Sequence, residues 1–193
     1  MTRPGAPAPL PPYAAGASAI PKVAVPAVGT LPYPAKEPAM TDPVCDAARR
    51  FIGLGFDTLR RAVDGLSAEA LNWKPAGDET NSIAVLATHA AHATRLLVHM
   101  AAGLELPPRD RPAEFAASVD GPGPLLALID HLAAECDTVL DGAAGTDWTA
   151  PRARTRSDGT SVEVPAIDAL FQAVEHLRGH ADEASLTRHL WTG

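Results

Sequence analysis

The sequence predicts an all-α fold, a four-helix bundle with long loops after its second and third helices. Three observations carry that expectation. Four segments of about twenty residues repeat their apolar side chains at intervals of three and four, the spacing of one buried helix face. No set of segments alternates apolar and polar residues as half-buried strands do. Proline, glycine and asparagine fall between the four segments, where they stop helices. Helices of this kind bury their apolar stripes most simply against one another.

Residues 1–40 read differently from the rest. They hold ten of the chain's nineteen prolines, ten alanines and four charged residues, Arg3, Lys22, Lys36 and Glu37. Prolines at 4, 7, 9, 11, 12, 21, 26, 32, 34 and 38 forbid a regular helix. The expectation is a disordered, partly extended Pro/Ala-rich tail ahead of a domain over 41–193. Met40 stands just before the first helical pattern, so an over-extended gene start is an equal reading. Prolines interrupt each apolar run there, unlike a secretory signal.

The first helix is expected over 42–66. Val44, Ala48, Phe51, Ile52, Leu59, Ala62, Val63 and Leu66 form its stripe, and Asp42-Pro43 supplies a cap and a first-turn proline. Ser67 to Leu71 forms a short helical turn, and Asn72-Trp73-Lys74-Pro75 opens a loop. Asn81 or Ser82 caps the second helix, 82–102, which Gly103 ends. The connection 103–121 carries Pro107, Pro108 and Pro112. Leu125, Leu128, Ile129, Leu132, Cys136, Val139 and Leu140 define the third helix, 122–140. The loop 143–164 contains Asp158-Gly159, a small hairpin signal. The fourth helix runs from about 165 to 190.

Without Arg3, Lys22, Lys36 and Glu37 the chain has 13 basic and 22 acidic residues. That balance argues against nonspecific nucleic-acid binding. Arg152, Arg154 and Arg156 cluster in a loop without interleaved aromatics, and a solvated loop is favoured over an anion contact. No segment is long and apolar enough to span a membrane. Cys45 and Cys136 sit at apolar helix positions and read as free buried thiols of a cytoplasmic protein.

His176 and His180 are the most informative residues. Four apart on a helix, they lie one above the other, as paired histidines do when they grip one ion. His89 lies ~40° from the centre of the second helix's apolar stripe, so it points inward. His92 and His99 lie near the stripe's edge, His131 faces solvent, and His189 stands near the end without a clear partner. In the fourth helix, Ile167, Leu170, Phe171, Val174 and Leu177 form the large apolar stripe, with His176 and His180 off its centre. The two histidines instead continue a row of small residues, Ala166, Ala169 and Ala173, along which another helix can approach closely. Taken singly, His89 also reads as a hydrogen-bonded core histidine, and the pair as an exposed face. Together the three favour a metal site. Glu183 lies near the His180 face and could orient it, and Trp73 could cover a site mouth, although a solvated charge and a packing role are the plainer readings.

Three segments resemble the DinB-like (DinB/YfiT-like) superfamily: Leu71-Asn72-Trp73-Lys74-Pro75 with Asn81-Ser82-Ile83, then Ser82 to His89, then Ala173 to His180 with Arg188. The resemblance covers about 42–191. It implies a four-helix bundle, often dimeric, with His89, His176 and His180 as the metal ligands. Where such proteins often carry a Gly-Gln type pair after the last histidine, this chain reads Ala181-Asp182-Glu183.

Three neutral imidazoles leave coordination positions open on a divalent ion, and zinc, nickel and iron all accept them. Relatives in the superfamily include transferases and isomerases that use low-molecular-weight thiols such as mycothiol or bacillithiol. The resemblance therefore implies a metal-dependent thiol transfer or isomerisation on a small-molecule substrate, in a homodimer. A metal-dependent hydrolase is the enzymatic alternative. A non-catalytic metal-binding or dimerisation module is the other. No Ser/His/Asp or Cys/His nucleophile arrangement is visible.

Overall fold

The computed structural model describes residues 42–155 and 159–192. The tail expected over 1–40 lies outside the described residues, as do Arg156 and Asp158. The described chain is helical apart from one short two-stranded sheet. In order it forms α1 (Pro43–Val63), α2 (Ala68–Asn72), a 3-10 turn (Gly77–Glu79), α3 (Ile83–Ala102), α4 (Arg111–Phe115), α5 (Pro122–Gly142), β1 (Pro151–Thr155), β2 (Ser161–Pro165) and α6 (Ala166–Thr192).

Four long helices carry the core. α1 and α3 each pack against both α5 and α6, and touch each other only slightly across the middle. Ile52, Phe56 and Leu59 of α1 are fully buried there, with Ile83 and Leu86 of α3, Leu125, Ile129 and Leu132 of α5, and Leu177 of α6. Gly55 lets α1 and α6 close. A Cβ at that position would lie 2.7 Å from Leu177 Cγ and Cδ2.

The side chains at the helix ends explain where the elements stop and how they join. Asp42 Oδ1 accepts from the Val44 N–H at 2.8 Å, with proline in the first turn. Its other oxygen accepts from Trp148 Nε1 at 2.8 Å, so one carboxylate caps α1 and anchors the segment before the sheet. That bond to Trp148 is the main reason the Asp42 carboxyl is held below its ordinary pKa. Gly103, with φ of 73°, ends α3 in the left-handed conformation, and the Leu104 N–H returns to the His99 carbonyl at 3.0 Å. At the end of α1, Arg188 of α6 reaches the carbonyls of Arg61 and Asp64 at 2.9 and 2.6 Å. A cation at a helix C-terminus meets both unpaired carbonyls and the negative end of the dipole.

Two differences from the sequence reading have clear causes. The 103–121 connection contains α4, started by Asp110 capping the Ala113 N–H at 3.0 Å and by Pro112 in its first turn. In α6 the expected apolar stripe divides: Leu170 and Leu177 are buried in the core and Ile167 and Val174 are half-buried, but Phe171 lies outside. Phe171 is 67% exposed, whereas Ala166, Ala169 and Ala173 are wholly buried. α3 packs against α6, and its Ala87, Ala90 and Ala91 are buried too. Small side chains on both helices bring the backbones close, so the small-residue face packs tightest and carries His176 and His180 toward α3.

Candidate metal centre

His89 is presented by the inner face of α3, and His176 and His180 by adjacent turns of α6. One ring nitrogen from each lies within 4.8 Å of the others. The ring centroids of His89 are 5.1 Å from those of His176 and His180, which are 4.5 Å from each other. His89 is buried, and the other two are half-buried. His89 Nε2 and His176 Nε2 face each other at 3.2 Å. Two nitrogens held about 2.05 Å from a tetrahedral ion would be separated by about 3.3 Å, so the donor set fits a divalent metal.

The electrostatics suit neutral imidazoles. Burial, then the neighbouring His180 and His89 rings, pushes His176 down to about 4. Burial likewise lowers His89, against the opposing pull of Glu114. Near neutral pH both rings keep a lone pair, which ligation needs.

A buried carboxylate fixes the His89 ring. Glu114 of α4 is 4% exposed, and its Oε2 lies 2.9 Å from His89 Nδ1. Arg109 grips the same carboxylate with two bonds, Nε to Oε1 at 2.6 Å and a terminal nitrogen to Oε2 at 2.7 Å. Burial raises the Glu114 carboxyl, but the bonds from Arg109 and His89 outweigh it and leave the group below its usual pKa. An ionised Glu114 accepts from a protonated Nδ1, which turns the lone pair of Nε2 toward the other two histidines. Phe115, next to Glu114, lays its ring 4.5 Å from the His89 ring. Among the described residues no buried side-chain nitrogen or oxygen lacks a hydrogen-bond partner.

Glu114 and Arg109 escaped the sequence reading because they lie in the proline-containing connection taken as loop. The signal was there in Asp110-Arg111-Pro112, a cap followed by proline that starts a helix with an acidic first turn. Glu183 does meet His180, with Oε2 3.1 Å from Nδ1. In the departure Ala181-Asp182-Glu183, Ala181 is buried core, and Asp182 pairs with Arg178 at 3.0 Å.

The remaining singled-out residues have other places. Trp73 packs on Trp191, with ring centroids 5.5 Å apart. His99 Nε2 lies 3.1 Å from Glu135 on α5, which also takes Arg95 at 2.7 Å. His92 is half-buried, and His131 and His189 are exposed. Cys45 and Cys136 are buried free thiols, and burial pushes Cys136 up to about 12, which leaves it unreactive. Arg152 and Arg154 are two apart on β1 and share the face that is half-buried. Arg152 Nε donates to the Ala101 carbonyl near the end of α3 at 3.3 Å. Arg154 borders a cavity beside His176.

No curated protein matches the chain. Among solved structures it resembles a conserved protein from Enterococcus faecalis, with a TM-score of 0.61 and 17% identity over 79% of this chain and 98% of that one. It also resembles the mycothiol-dependent maleylpyruvate isomerase, both as the enzyme and as a point variant. Each gives a TM-score of 0.54 and 21% identity, over 72% of this chain and 59% of that one. These likenesses establish the shared fold. The profile of the DinB superfamily matches residues 54–184, a span that includes His89, His176 and His180, and the chain belongs to that superfamily.

Proposed function

We propose that His89, His176 and His180 bind one divalent metal ion, and that the protein is an enzyme joining a low-molecular-weight thiol to a small electrophilic substrate or isomerising a substrate with its help. The observation that carries this reading is the convergence of three imidazoles, one of them oriented by a buried, arginine-held carboxylate. Structural ions are usually enclosed by four protein ligands, whereas three leave a position open. The solved neighbour that depends on mycothiol supports thiol chemistry.

A bound ion with an open position supplies a site where a thiol is held as thiolate near neutral pH. The chain's own residues prepare that site. Glu114 holds the proton on His89 Nδ1, and Glu183 does the same for His180. Arg109 fixes Glu114, and the Phe115 ring keeps water from one side of His89.

The test loads the protein with zinc, nickel or iron and supplies mycothiol, bacillithiol or glutathione with an activated electrophile such as chlorodinitrobenzene. Thiol consumption should require both metal and protein and should vanish in His176→Ala. Consumption that is equal with and without metal would contradict the reading.

A further inference from the structure

A cavity of about 200 Å³ adjoins the histidine cluster, with His89 and His176 on its wall. Its volume falls below the roughly 300–1,000 Å³ of sites for drug-sized ligands, so it suits a small molecule or one end of a larger one. Three guanidinium groups border it, those of Arg109, Arg111 and Arg154, together with Gln172. Among the described residues no carboxylate lines it. The concentration of positive charge stands out in a chain with a formal net charge of −7.

The three arginines come from two separate segments, and the fold gathers them. Arg109 precedes α4 and is already engaged by Glu114. Arg111 opens α4 and stacks on Phe115, 4.8 Å from the ring centroid, with that ring against His89. Arg154 arrives on the half-buried face of β1. Gln172 sits one turn before His176 on α6, in the same row as the two histidines. Among the described residues, no hydrogen bond or ion pair engages the side chain of Arg111 or Arg154. Arg154 also borders a separate shallow depression shared with Asp168 and Glu175. The floor of the cavity is apolar, formed by Leu97 and Met100 further along α3 from His89.

We infer that this cavity receives the carboxylate of a small anionic substrate, gripped by Arg111 and Arg154, while the rest of the substrate reaches the histidine cluster. The inference rests on the metal-site reading above and names the substrate class of that site. Guanidinium forks match a carboxylate with paired hydrogen bonds, and a partly desolvated cavity strengthens such bonds. Gln172 has an amide N–H₂ able to donate to the same group. The apolar floor accommodates a short hydrocarbon segment between the carboxylate and the reacting atom.

The test uses cobalt-loaded protein and two thiols of equal length, mercaptopropionate and mercaptopropanol, read by the thiolate-to-cobalt absorption band. Mercaptopropanol reports the metal alone. Mercaptopropionate should bind about ten-fold or more tightly than mercaptopropanol, and the Arg111→Gln/Arg154→Gln double variant should bring the two within about two-fold. A preference that survives in the variant comes from the ion's own charge and overturns the inference while leaving the metal reading intact. Absence of any band with either thiol instead counts against the metal reading. In that event propionate is titrated into the metal-free protein and followed by NMR. Shifts centred on Thr155 and Gln172 that disappear in the folded double variant support the carboxylate site, and scattered or absent shifts overturn it.

Discussion

Glu114 Oε2 lies 2.9 Å from His89 Nδ1, and both side chains are buried. The pair joins α4, a helix of five residues, to the inner face of α3. Arg109 completes the arrangement from the segment just before α4. An otherwise small element thereby fixes which nitrogen of His89 faces His176 and His180.

Glu114→Gln should therefore weaken metal binding while leaving all three histidines in place. A neutral amide cannot hold the Nδ1 proton as firmly and leaves Arg109 without its ionic partner. The expected loss is about 10- to 100-fold in affinity, measured by competition with a chelator of known strength. Unchanged affinity would mean that the carboxylate has no part in preparing His89.

Stability of the chelator-treated protein should fall as pH drops below about 6.5. The unfolded chain takes up protons on histidine near 6.5, whereas folded His176 resists until about 4, and folded His89 is lowered as well. Between those pH values the unfolded state binds more protons, so acidification favours unfolding. For His176 alone the loss amounts to up to about 3 kcal/mol by pH 4. Glu114 adds a loss at lower pH, because its depressed carboxyl stabilises the fold above the unfolded pKa of 4.5 and ceases to as pH falls through its folded value. Urea unfolding at several pH values checks this, and His176→Gln should flatten the upper part of the profile.

Gly55→Ala should destabilise the bundle by about 1–3 kcal/mol. The added carbon would lie 2.7 Å from Leu177 Cγ, in the branch of a wholly buried side chain that has no free end to swing away. Gly53, two positions earlier on the same helix, has open space around its Cβ direction. Gly53→Ala should gain about 0.5–1 kcal/mol from helix propensity. Thermal unfolding of the two variants separates a contact effect from a general dislike of alanine in α1.

Helix periodicity made the four long helices legible because each has a face buried against two neighbours. The end signals were legible for the same local reason: Asp42-Pro43, Ser82 and Gly103 act through hydrogen bonds within a few residues. His89 pointed inward as its angle in α3 indicates. The orientation of α6 was harder to read. Hydrophobicity placed Leu170, Phe171 and Leu177 on one face; the structure buries Leu170 and Leu177 but exposes Phe171, and it buries the alanine row as well. Glu114 and Arg154 were the least legible. Their positions depend on a short helix and a hairpin folding over the bundle, and no local spacing ties either residue to His89 or His176.

The three histidines are proposed to share one ion. Elemental analysis of the purified protein beside His89→Ala and His176→Ala tests it most directly. About one metal ion per chain is expected in the wild type, and both variants should lose it. A wild-type protein that stays metal-free after equilibration with zinc, nickel and iron would contradict it, as would variants that retain the full complement.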